Sequence, residues 1–152
     1  MYSGYEDIEV NIQRRDRDPK TVTIGFAERA GRGVAYAVSG SAGRGAVVRV
    51  EFACRPLPAL LGRDVAYAAL QAVAEAYLAR GVTRAVFRID DAKLPQDIAE
   101  RRALPNALIL PYVRLRCVLN RFHAAAVEAA ADDVARDASA RARADVQLTF
   151  AA

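Results

Sequence analysis

The chain contains no tryptophan, one methionine, one histidine and two cysteines in 152 residues. So few soft donors exclude a Cys/His zinc site, and Cys54 and Cys117 form no CxxC pair. Both lie in apolar stretches and read as free, buried thiols. Lysine is nearly missing: Lys20 and Lys93 stand alone, and arginine carries the other positive charges. No apolar run approaches the length of a membrane span. The first residues, MYSGYEDIEV, are acidic and polar, so no secretory leader is expected there and a cytoplasmic location is. Also missing are GxSxG, the P-loop, GxGxxG and HExxH, with the reactions those motifs serve. The tetrapeptide AGRG occurs at 30–33 and 42–45, between strand patterns in both places. Each copy reads as a hairpin turn and not as a phosphate cradle.

What remains describes a globular α/β protein. Length predicts one domain, 1–152, large enough to fold without a disulfide or metal. A net charge of +4 permits nucleic-acid binding without requiring it. The alanine-rich apolar share predicts close helix–sheet contacts.

The pattern alternates at 7–13, 21–28, 34–40 and 46–54. Short glycine turns between the last three predict an antiparallel meander. Helical spacing then runs from about Leu60 to Arg80, closed by Gly81. The stretch 83–90 predicts a fourth strand, parallel to a meander strand because a helix leads to it. A short helix is expected within 94–105, a fifth strand at 108–120 and a long alanine-rich helix at 122–144. The pairs Asp132–Arg136 and Asp137–Arg141 would support that helix. On this reading Arg84 and Arg88, then Arg114 and Arg116, project in pairs from strands four and five. Further strands are expected at 7–13 and 145–150, as sheet edges open to a second copy in a homodimer.

This order of elements resembles the ribonuclease H-like family. AYAALQAVAEAYLARGVTRAVFRIDDAKL (66–94) is similar to its run of helix, glycine turn and strand ending in an aspartate pair. VTIGFAE (22–28) resembles its first strand, and FHAAAVEAAADDVARDA (122–138) its closing helix. The likeness covers about 20–142. It implies a mixed five-stranded sheet, a three-strand antiparallel meander plus parallel strands, with flanking helices.

The resemblance also implies a chemistry, in which carboxylates from four elements hold two divalent ions against a phosphodiester. Asp90 matches the fourth-strand acid and Asp132 the last-helix acid. The first-strand acid falls on Ala27, with Glu28 beside it as a substitute metal ligand, and the first-helix acid falls on Ala66. His123 stands near a histidine that some members use in product release. Arg29, Arg32, Arg88 and His123 are the candidate nucleic-acid contacts. The resemblance therefore implies a degenerate site with Asp90 and Asp132 as remnants. The expected function is binding of nucleic acid (RNA, DNA or their hybrid) or of a protein partner, without cutting and without a cofactor. The alternatives are an active ribonuclease on RNA–DNA hybrids, using Mg²⁺ or Mn²⁺ with ligands shifted to Glu28 or Asp64, and a structural or oligomerising module.

Overall fold

The computed structural model describes residues 19–40, 45–100 and 103–150. Three strands lead: β1 (Lys20–Arg29), β2 (Arg32–Ser39) and β3 (Ala46–Ala53). After a 3₁₀ turn at Pro58–Leu60 come α1 (Arg63–Ala79) and β4 (Arg84–Ile89). Then follow α2 (Lys93–Glu100), α3 (Asn106–Leu119), β5 (Ala124–Ala129) and α4 (Asp133–Thr149). They form one five-stranded sheet in the order β3-β2-β1-β4-β5. β1, β2 and β3 are antiparallel neighbours, while β4 runs parallel to both β1 and β5. This is the mixed sheet that the resemblance implied.

Alternation along β1 divides its side chains between two cores. Val22 and Ile24 face α1, with Ala35, Ala37, Phe87 and Ile89 beside them. α1 contributes Ala66, Ala69, Leu70, Val73, Ala74 and Tyr77 at helical spacing. Tyr77, Phe87 and Phe122 meet edge to face at centroid distances of 6.4 and 5.5 Å. Such ring pairs add about 0.5–1.5 kcal/mol each beyond burial. α1 ends as its sequence predicts, with Gly81 at φ +81° just past Arg80. On the opposite face, Val34 and Tyr36 pack against Ala138, Ala142 and Val146 of α4.

The C-terminal third departs from the sequence reading. Residues 108–120 belong to helix α3 and not to a strand. Their dense apolar run looks extended, but Leu108, Leu115, Val118 and Leu119 are buried at helical spacing against α1. Arg114 and Arg116 therefore lie on a helix, and Cys117 is exposed on its outer side. The fifth strand is AAAVEA, which the sequence reading placed inside the long helix. Alanine is the best helix former, yet pairing with β4 overrides that preference. The last helix accordingly starts at Asp133 instead of 122, and 145–150 continues it to Thr149 instead of forming an edge strand. The expected strand at 7–13 lies outside the described residues.

α4 is clamped near its C-terminus. Asp145 accepts two bonds from Arg49 of β3, at 2.7 and 2.9 Å, one from Thr149 at 2.6 Å and one from the Tyr36 hydroxyl. The Arg49 guanidinium, foremost, holds the Asp145 carboxyl well below the usual carboxylate range. A carboxyl lowered by folding contributes stability above its unfolded value and loses it as pH falls toward the folded one. Stability should therefore decline as pH drops below about 4. Urea titrations down the acid range should give a shallower decline for Arg49→Met than for the natural chain; identical slopes would mean that the clamp adds nothing.

Candidate active site

Two parallel strands set the geometry of the candidate site. In the β1–β4 ladder Ile24 pairs with Ile89, and the Asp90 amide donates to the Ile24 carbonyl at 3.0 Å. The next β1 position, directly beside Asp90, is Gly25. Ala27, where the resemblance puts the first-strand acid, lies two residues further along the same face. Neither residue is acidic.

Gly25 is where α4 touches the sheet. A Cβ added there would lie 2.1 Å from the Ser139 nitrogen and 2.4 Å from the Ala138 carbonyl carbon. No side chain fits without moving the helix backbone. From the same turn, the Ser139 hydroxyl donates to Asp90 Oδ2 at 2.6 Å. Ala66, at the first-helix position, is fully buried in the core under α1. Asp90 is thus accompanied by a glycine and a serine.

The other expected site residues lie elsewhere. Asp132 is the N-cap of α4; it accepts from the Ala135 amide at 3.0 Å and from Arg88 at 2.9 Å. The Ala135 amide, then Arg88, hold its carboxyl below the ordinary range. Ser139 comes seven residues later, about 10 Å along the helix axis. Asp133 pairs with Arg136, so the expected partner of that arginine is replaced by its neighbour. Glu28 accepts from the Gly31 amide at 2.7 Å, closing the β1–β2 turn, and lies about 10 Å along the strand from Gly25. Asp91 accepts from the Leu94 amide at 2.8 Å in the first turn of α2. Asp64 accepts from the Leu57 amide at 2.7 Å and from Val65 at 3.0 Å, pinning the loop before α1.

The candidate nucleic-acid contacts also separate. Arg88 is occupied by Asp132 and by Thr23 at 3.3 Å. His123 precedes β5, its amide donating to Thr83 at 2.7 Å. Arg84 pairs with Ala124 and Ile89 with Ala129, so His123 sits beyond the far end of the ladder from Asp90, roughly 23 Å away along the strands. Arg29 and Arg32 face each other across the β1–β2 turn. The sequence reading missed Gly25, Ser139 and Arg143. Gly25 carried a signal, because an isolated glycine in a β-branched strand marks close approach of another backbone.

Two divalent ions need several anionic oxygens converging on one space. Here Asp90 is bonded to Ser139, and the α4 backbone fills the place beside it. Among the described residues no group of three or more His, Cys, Asp or Glu is placed to hold a metal ion. The residues present do not fit a two-metal centre.

No family model matches the chain, and no curated protein matches it by sequence. Solved structures do match by shape. The chain is similar to RNase H1 from the halophilic archaeon Halobacterium salinarum NRC-1, with a TM-score of 0.66 and 19% identity over 86% of this chain and 98% of that one. It is similar to the N-terminal RNase H domain of a Mycobacterium tuberculosis protein, with a TM-score of 0.59 and 16% identity over 82% and 97%. It is also similar to LC11-RNase H1, solved in complex with an RNA/DNA hybrid, with a TM-score of 0.62 and 8% identity over 86% and 99%. At these identities the likeness is one of fold.

Two substitutions test the closed geometry. Gly25→Asp should cost about 3 kcal/mol, the upper part of the range for overpacking. Ser139→Ala should cost about 1 kcal/mol, the worth of one hydrogen bond. Urea unfolding checks both, and a near-neutral Gly25→Asp would show that α4 is free to shift.

Proposed function

The chain has a ribonuclease H-like fold, and we propose that it binds nucleic acid without cutting it. The observation that carries this reading is the seating of α4 on Gly25, which leaves Asp90 as a single carboxylate bonded to Ser139. A lone carboxylate cannot hold two cations at the separation that a two-metal displacement needs. On this reading no metal cofactor is used, and Asp90 is a structural acceptor. Binding of nucleic acid is supported by arginines at the Gly25 end of the sheet and by the neighbour solved with an RNA/DNA hybrid. The proposal includes a cytoplasmic location; among the described residues no helix is long and apolar enough to cross a membrane. It also includes a homodimer through sheet edges, supported by β5, a strand of exposed alanines paired on one side only.

The test is incubation of an RNA–DNA hybrid with the protein and Mg²⁺ or Mn²⁺, beside a salt titration of binding. No cleavage above buffer is expected, with binding at low salt that weakens steeply as salt rises. Metal-dependent cutting abolished by Asp90→Asn would refute the non-cleaving reading. Absence of binding at low salt would remove the nucleic-acid reading and leave a structural module.

A further inference from the structure

Three arginines meet at the Gly25 end of the sheet. The tight β1–β2 turn sets Arg29 and Arg32 directly opposite one another. Like charges so placed destabilise a strand pair. α4 brings Arg143 to the same end, and Ala27, Glu28, Arg29, Arg143, Val146 and Gln147 line an open depression of about 430 Å³.

Little within the fold answers this charge. Among the described residues Glu28 is the only acid lining the depression, and one of its oxygens accepts from the Gly31 amide. Arg29 reaches the Gln147 carbonyl at 3.5 Å, the outer limit of a hydrogen bond. Arg32 lies over the Phe150 ring at 5.7 Å, which occupies its face and leaves its edge donors outward. Arg143 has no ion pair among the described residues. By contrast, Arg49, Arg63, Arg88 and Arg136 are each paired with a carboxylate. What sets this depression apart is that two of its six described lining residues are arginines, with a third, Arg32, opposite Arg29 across the turn.

A guanidinium fork matches the oxygens of a phosphate in plane and spacing. The depression opens beside the end of β1, four residues and about 13 Å from Gly25. A strand crossing the sheet end would thus reach it without entering the closed space at Asp90. We infer that the Arg29–Arg143 depression holds a backbone phosphate of a bound nucleic-acid strand, an inference that rests on the nucleic-acid reading above. Among the described residues, Phe150 at this end is already covered on one face by Arg32, so bases gain no free stacking platform from it on that face. Recognition at the depression is therefore of the backbone and indifferent to sequence.

The test is fluorescence anisotropy of a labelled RNA–DNA hybrid against the natural chain and an Arg29→Gln/Arg143→Gln variant, across a salt series. Arg80→Gln, at the opposite end of the sheet, is the control. The double variant should bind about tenfold more weakly with a salt slope smaller by about 1–2, and unfold at the same temperature or slightly higher, because the facing charge of Arg29 is gone. The control should bind like the natural chain. If the natural chain binds and the double variant matches it in affinity and slope, the inference is overturned while the nucleic-acid reading stands. If the natural chain binds no hybrid at low salt, that reading fails and the inference with it. Displacement of the hybrid by polyglutamate at matched ionic strength, or saturable binding of inorganic phosphate in place of hybrid, would reassign the depression to an acidic protein or a free anion and overturn the inference.

Discussion

The contact between α4 and Gly25 is the constraint on which the rest of the molecule depends. A helix backbone rests on a strand backbone with no side chain between them. Glycine on the strand and a buried stripe of Ala135, Ala138, Ser139 and Ala142 on the helix make that distance reachable. Three polar attachments hold the helix there. Asp132 and Arg88 fix its first turn, Ser139 and Asp90 its middle, and Asp145 with Arg49 and Tyr36 its last turns. The two ends anchor to opposite sides of the sheet, β4 and β3, so the helix crosses β1 and β2 under constraint from both.

This arrangement gives the acids that survive a structural use. Asp90, at the end of VFRID, spends one oxygen on Ser139. Asp132 spends one oxygen on the α4 cap and the other on Arg88. Glu28, Asp64 and Asp91 each accept from a backbone amide in a turn or at a helix start. A carboxylate satisfied by local donors is held in place, and moving it to a cation would leave those donors unpaired. The cluster of unanswered positive charge lies instead at the outer end of β1.

Much of the fold was legible because its signals are local. The meander followed from alternation and glycine turns, and α1 from helical spacing closed by Gly81. The order of elements pointed to the ribonuclease H-like sheet even though three stretches near the C-terminus were misassigned. AAAVEA reads as helix by propensity and becomes a strand only through β4, a partner far away in sequence. LILPYVRLRCVL reads as strand from its apolar density and becomes a helix because α1 offers it a face to cover. The candidate site was legible at Asp90, where strand and acid are contiguous. It was not legible at Gly25 and Ser139, because their meeting depends on how closely a helix settles on a sheet, and that distance is a property of packing.

The most direct measurement is paramagnetic broadening of backbone amide signals by Mn²⁺, titrated to millimolar concentrations into the isotopically labelled chain. If α4 closes the space beside Asp90, the amides of Gly25, Asp90 and Ser139 broaden no more than those of other residues. Selective broadening centred on Gly25 and Asp90, removed by Asp90→Asn, would contradict the account and show a cation seated where the helix is said to leave no room.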